Sequence, residues 1–89
     1  MNRERRRKLK LVLSCVEQLT SIIEDINDRL QDIIDEEEEA INNLPENMQS
    51  GERAQKMNET IMELQDIQDA FDDLDIPTLY KRIEEFTLE

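Results

Sequence analysis

Four carboxylates in this chain of 89 residues have a spacing that could hold a divalent metal ion. Glu36 and Glu39 are one helical turn apart, and Glu63 and Asp66 repeat this spacing after 23 intervening residues. Two such pairs on facing helices can hold Mg²⁺, which can in turn bind a triphosphate. However, 23 residues of the chain are Asp or Glu, so this spacing arises readily by chance. It recurs between Asp69 and the acids three residues before and after it. We therefore interpret these carboxylates first as part of a solvated acidic helix face.

The residue types that most enzymes need for catalysis are scarce in this chain. It has no His, one Gly and one Cys. The lack of His removes the commonest general base, and a single Gly excludes a Gly-rich phosphate-binding loop. Cys15 has no His partner for nucleophilic chemistry, and we expect it to be a small packed residue. The sequence therefore predicts no enzymatic activity and no cofactor.

The single cysteine and the apolar runs also bear on location. One cysteine cannot form an internal disulfide, which favours a reducing compartment, so we expect a cytoplasmic protein. The apolar run at 11–13 is much shorter than the h-region of a signal peptide, about 7–15 residues. No stretch approaches the roughly 20 apolar residues of a membrane span. We therefore expect no membrane partner.

Charge is distributed unevenly along the chain. The net charge is −12, but residues 1–10, here called the basic arm, hold six Arg or Lys and one Glu, which leaves −17 on residues 11–89. This acidic excess argues against direct nucleic-acid binding and favours a basic partner. Two rows of aspartates at helical spacing are the candidate acidic faces: Asp25, Asp28, Asp32 and Asp35 in the first row, and Asp66, Asp69, Asp72 and Asp73 in the second.

Three interpretations of the basic arm stay open. Its candidate binding residues are Arg3, Arg5, Arg6 and Arg7. The arm could pair with acids of its own chain, namely Glu84, Glu85 and Glu89, if the last helix returns to it. Each exposed pair would contribute only about 0–1 kcal/mol. The arm could instead bind a partner, or it could be a disordered tail.

Helix-forming residues dominate, and together with the scarcity of Gly and Pro they predict one all-α domain over 1–89. Apolar residues at alternating spacings of three and four run from Leu9 to Ile33. This spacing marks the a and d positions of a heptad repeat and predicts helix 1 over about 3–43. Pro45 and Gly51 then predict a loop at 44–50, with Ser50 as the N-cap of the next helix.

The second half of the chain predicts two further helices. Helix 2 is expected over about 51–74 as an antiparallel return, and helix 3 over about 77–87 after a break near Pro77. In helix 2 the spacings from Ile61 to Leu64 and from Leu64 to Ile67 are both three, which breaks the alternation and predicts local overwinding at Leu64. The expected fold is a helical hairpin, or coiled-coil-like bundle, with a short third helix.

The width of the apolar surface on helix 1 predicts a homodimer. Four aliphatics lie outside its a and d positions: Leu13, Ile22, Ile34 and Ile41. A single return helix covers about one stripe, so the rest would stay exposed without a partner. A parallel dimer would place acids on acids and basic arms on basic arms. We therefore predict an antiparallel dimer.

Residues 41–74, INNLPENMQSGERAQKMNETIMELQDIQDAFDDL, resemble the second half of small acidic α-helical hairpin proteins carried by phages and mobile elements of Gram-positive bacteria. The likeness lies in an NLPE-x-hydrophobic-Q-x-S/G-E-R…K-M segment followed by acidic amphipathic repeats. It implies a phage setting but no activity and no functional residues.

The carboxylate spacing described above is similar to that of the all-α nucleoside triphosphate pyrophosphatases of the MazG type. This second likeness implies Mg²⁺-dependent hydrolysis of nucleotides.

Three functions follow, in order of preference. The first is a non-enzymatic helical protein–protein interaction module whose partner is a second copy of itself. The alternative is an acidic DNA mimic, comparable to an anti-CRISPR protein. Such a mimic would inhibit a basic host protein that binds nucleic acid or acts in defence. The least favoured is a MazG-like pyrophosphatase, because bases for phosphate are scarce outside the arm.

Overall fold

The computed structural model describes residues 1–88, and the regular structure of these residues is entirely helical. The helices are α1 (Arg3–Asn42), α2 (Glu52–Asp72) and α3 (Ile76–Thr87), with a short 3₁₀ turn at Glu46–Met48. These bounds differ from the predicted ones by at most two residues. The chain divides into two compact units. Unit 1 contains residues 1–25 and the described residues from Leu74 onward, and unit 2 is Ile26–Asp73.

The basic arm is the first part of α1. The Asn2 side chain caps this helix, because its Oδ1 accepts a hydrogen bond of 2.9 Å from the backbone N–H of Arg5. This contact satisfies one of the backbone donors that have no partner inside the first turn. Residues 3–10 are all helical, so the structure does not contain the disordered tail that was one interpretation of the arm.

Unit 2 is a helical hairpin formed by the second half of α1, a connection and α2. The connection is held by backbone hydrogen bonds from Met48 N–H to the Pro45 carbonyl, 2.7 Å, and from Gly51 N–H to the Met48 carbonyl, 3.1 Å. The N-cap of α2 is Gly51, with an extended backbone, and not Ser50 as predicted. The 3₁₀ turn and the bonded turn that follows it extend as far as Gly51. The first residue of α2 is therefore Glu52, one position later than predicted.

In unit 1, α3 is preceded by a residue with a left-handed backbone. Asp75 adopts the left-handed conformation, with φ 48° and ψ 50°, and Pro77 lies in the first turn of α3. Asp is among the few non-glycine residues that adopt this conformation at modest cost. Its side chain makes no capping hydrogen bond, so it assists the turn through its backbone.

The face of α1 that packs inside the protein is rotated from the predicted one. We call it the covered face. Its residues are buried or half-buried and follow each other at alternating spacings of three and four, a pattern that Leu44 continues just beyond the helix: Leu9, Leu13, Val16, Thr20, Ile23, Asn27, Leu30, Ile34, Glu37 and Ile41. These are positions a and e of the predicted repeat. Most d positions are exposed instead, including Val12 at 44% and Leu19 at 43%. The prediction that a and d form the packed stripe was therefore wrong.

The covered residues of α2 also correct the sequence analysis. Ala54, Met57, Ile61, Leu64, Gln68 and Phe71 are buried or half-buried at spacings of three and four without a break. Ile67, which was expected in this set, is 37% exposed. Because Gln68, and not Ile67, belongs to the covered residues of α2, their alternation of three and four is unbroken. It therefore gives no reason to expect overwinding.

Candidate interaction surfaces

A second apolar face of α1 lies beside the covered face and is largely exposed. We call it the open face. It consists of the d and g positions, at spacings of three and four: Arg5, Lys8, Val12, Cys15, Leu19, Ile22, Ile26, Arg29, Ile33, Glu36 and Ala40. All of these residues are exposed except Ile26, which is half-buried. Ile22 is 55% and Ile33 is 48% exposed, which is high for large aliphatic side chains.

The open face continues into an apolar groove within unit 1. The groove has a volume of about 390 Å³ and lies between α1 and α3. Its lining is almost entirely apolar: Val16, Leu19, Ile76, Leu79, Arg82, Ile83 and Phe86. Leu79 is 44% and Phe86 is 53% exposed. Leu19 belongs to both the open face and the groove, so the two form one surface in unit 1.

Cys15 is exposed, and the expectation that it is a packed residue was wrong. Its g position lies on the open face and not beside the covered one. The rotation of the covered face from a/d to a/e, described above, accounts for this exposure.

The basic arm lies next to the end of α3. Arg3, Arg6, Arg7 and Lys10 line one cleft together with Thr87 and Leu88. Arg6 is half-buried, and Arg3, Arg5 and Arg7 are exposed. Among residues 1–88, the structure gives the arm no ion pair with Glu84 or Glu85, and Glu89 lies outside the described residues. The approach of the two helix ends agrees with the first interpretation of the arm, but the described residues lack the charge pairing that it requires.

The two rows of aspartates are exposed along their whole length. Some of these acids already have partners inside the protein. Asp35 accepts a hydrogen bond from Gln31 at 2.9 Å, and Asp72 accepts one from Asn27 at 3.0 Å. Asp25 also makes an interaction of its own. The rows are therefore solvated surfaces that contribute in part to the structure.

A polar cluster between α1 and α2 was missed by the sequence analysis. Gln68 Nε2 donates to the backbone carbonyl of Asn27 at 3.2 Å and to Gln31 Oε1 at 3.3 Å. Asn27 Nδ2 donates to Asp72, while its buried Oδ1 accepts no hydrogen bond. The available signal was the position of Asn27, which lies at e between Thr20 and Ile34. Such a polar layer fixes the register of a hairpin, because shifting the helices would leave buried polar groups without partners.

Unit 1 contains one further specific contact. Tyr80 Oη donates a hydrogen bond of 2.9 Å to Glu17 Oε1. This bond to the carboxylate raises the pKa of Tyr80 above its usual value, and burial and the negative charges of Glu17 and Glu84 raise this pKa further. All three effects disfavour the phenolate, since it cannot donate the bond and would carry charge beside charge.

The four carboxylates considered for Mg²⁺ are not assembled into a site. Glu36, Glu39, Glu63 and Asp66 are all exposed. No group of three or more Asp, Glu, Cys or His side chains among residues 1–88 is arranged to hold a metal ion. In the same part of the chain, no helix is long and apolar enough to cross a membrane.

Comparisons with known proteins add no family. No family model matches this chain, and no match was found among curated proteins or solved structures. The likeness of residues 41–74 to helical phage proteins thus stays an expectation from the sequence.

Proposed function

We propose that this protein is a non-enzymatic helical interaction module and that its partner is a second copy of the same chain. The observation that carries this proposal is the exposed apolar surface in unit 1. Leu19, Ile22, Leu79 and Phe86 are each 43–55% exposed. Contiguous apolar surface of this kind on a small protein marks an interaction site.

The energetics favour covering this surface. Full burial of a large aliphatic or aromatic side chain contributes about 1.5–3 kcal/mol, so covering the exposed half of each contributes on the order of 1 kcal/mol. A chain of this size has a small core and little stability in reserve. The only side chain of α1 with almost no exposure is Ile34, at 1%. Association would therefore add substantially to the stability of the folded protein.

The DNA-mimic hypothesis lacks an observation that selects it. Exposed aspartate rows are expected both of a mimic and of an ordinary solvated helix face. The apolar open face, in contrast, has no role in a mimic that binds through its carboxylates. The pyrophosphatase hypothesis lacks an assembled carboxylate site within residues 1–88. Self-association is thus the function with a specific structural feature behind it.

The test is the mass in solution of the intact protein and of two matched variants. Light scattering behind size exclusion should give twice the 10.6 kDa of one chain. The double variant Leu19→Gln/Ile22→Gln should give the mass of a monomer, because it removes apolar area from the open face. The control Ser14→Gln/Ser21→Gln adds the same side chains on an exposed side of α1 away from this face, and it should stay dimeric.

Circular dichroism establishes that all three proteins are helical before their masses are compared. A monomer for the unaltered protein at all concentrations would contradict the proposal. A dimer that survives the Leu19→Gln/Ile22→Gln change as well as it survives the control changes would place the interface elsewhere and would also contradict it.

A further inference from the structure

The charges at the two ends of α1 are opposite to those that a single helix favours. The first turns contain Arg5 and Lys8 on the open face, and the last turns contain the acidic run 35–39, with no base in the final turn. A helix has a partial positive charge at its N-terminus and a partial negative charge at its C-terminus. Bases at the start and acids near the end are therefore both unfavourable in an isolated helix.

Four charged side chains at the ends of the open face or directly beside it have no recorded partners among residues 1–88. The side chains of Arg5, Lys8, Asp32 and Glu36 are exposed, and the structure records no ion pair or side-chain hydrogen bond for any of them. Arg5 and Lys8 come before the apolar part of the open face, and Glu36 comes after it. The apolar part of the open face thus has bases before it and an acid after it, and it also contains Arg29.

We propose that a second copy of α1 lies antiparallel on the open face, so that Arg5 and Lys8 of each copy contact Glu36 and Asp32 of the other. This inference rests on the proposed self-association and adds its direction and register. In an antiparallel pair the d positions of one helix face the g positions of its partner, so the numbers of facing residues sum to about 41. Leu19 then faces Ile22, and Cys15 faces Ile26.

In this register the bases at the start of one open face meet the acids near the end of the other, while Arg29 faces Val12. Arg5 faces Glu36, and Lys8 faces Ile33 with Asp32 and Glu36 on either side of it. The two-fold axis falls between Leu19 and Ile22, so the same patch on both copies forms the interface. A parallel pair would instead place bases beside bases and acids beside acids, and it would align the two helix dipoles in the same direction.

Charge reversal in separate chains tests this arrangement. The arm variant is Arg5→Glu/Lys8→Glu, and the acid variant is Asp32→Lys/Glu36→Lys. Each variant alone should have a dissociation constant raised at least tenfold, because like charges then face each other. An equimolar mixture should form a heterodimer with near-original affinity, since the glutamates of one chain meet the lysines of the other.

Matched controls reverse the same number of charges away from the open face. These are Arg7→Glu/Lys10→Glu for the arm variant and Asp28→Lys/Glu38→Lys for the acid variant, all at exposed positions. The controls should associate like the unaltered protein, which separates local contacts from the effect of net charge. Sedimentation equilibrium of each protein and of the mixture gives the dissociation constants.

The outcomes separate this inference from the proposed function. If the unaltered protein is a monomer, self-association itself is wrong. If it is a dimer but the two variants dissociate no more than their controls, self-association stands and the charge contacts are wrong. If the variants dissociate and their mixture does not recover, the antiparallel contacts between copies are wrong. Dissociation of both variants with recovery on mixing supports the inference.

Discussion

At the residue scale, the contacts with clear physical meaning are polar and lie between helices. Asn27 and Gln68 meet among the covered residues of α1 and α2, at positions where apolar residues would be expected. In unit 1, Tyr80 binds Glu17. Neither of these two contacts follows from a periodicity of apolar residues. They depend on which helices face each other and in which register, which is tertiary information.

Replacing Glu17 by Gln should lower the pKa of Tyr80 toward its ordinary value. The amide oxygen can still accept the hydrogen bond, but the negative charge that disfavours the phenolate is gone. Tyr80 is the only tyrosine and the chain has no Trp, so the ultraviolet absorbance of tyrosinate reports this one group. Glu24→Gln, at an exposed position of α1, is the control. An equal pKa in the Glu17→Gln variant and the control would refute the contact.

The same contact predicts how stability depends on pH. Because folding raises the pKa of Tyr80, its contribution is fully present below the unfolded pKa of about 10. This contribution is lost as the pH rises through the raised pKa of the folded protein. Unfolding by urea at increasing alkaline pH should therefore show a loss of stability that is smaller in the Glu17→Gln variant.

At the element scale, most of the architecture could be predicted from the sequence. Pro45 and Gly51 between two amphipathic segments predict a hairpin, and the helix bounds agree within two residues. The packed face of α1 could not be predicted, because aliphatics occur at the d positions and also at three e positions, Leu13, Ile34 and Ile41. Heptad spacing gives the period of a stripe but not its rotation when the apolar surface is wider than one stripe. Of the four aliphatics expected to lie outside the packed stripe, only Ile22 is on the open face, and the other three are covered.

Glu37 is the acidic residue of the covered face and offers a test of the α1–α2 packing. It is half-buried and shares a cleft with Arg53, Lys56 and Met57, while the ion pair recorded for Lys56 is with Glu52 at 3.6 Å. Replacing Glu37 by Leu should raise the free energy of unfolding by about 1 kcal/mol, because an apolar group suits this position better than a charge.

Urea unfolding at one fixed protein concentration measures the effect of Glu37→Leu, since association would otherwise change the apparent stability. The control is Glu38→Leu, at an exposed neighbour. It should change the unfolding free energy by less than about 0.5 kcal/mol. A loss of stability in the Glu37→Leu variant would mean that the carboxylate makes favourable contacts with the bases of the cleft.

At the scale of the whole molecule, the proposed self-association depends on two faces of one helix. The covered face of α1 packs against α2 in unit 2 and lies beside α3 in unit 1. The open face has an apolar centre and ends of opposite charge, and its residues other than Ile26 are exposed. In the proposed dimer, a second copy would cover the apolar centre and would bring opposite charges to the two ends.

The most direct test of this central claim is to detect contacts between copies across the open face. Chains labelled with ¹³C are mixed with unlabelled chains, and a filtered nuclear Overhauser experiment then records only contacts between different chains. The proposed antiparallel dimer predicts contacts between the methyl groups of Leu19 in one chain and Ile22 in the other. Contacts of these methyl groups within single chains only, at millimolar concentration, would contradict it.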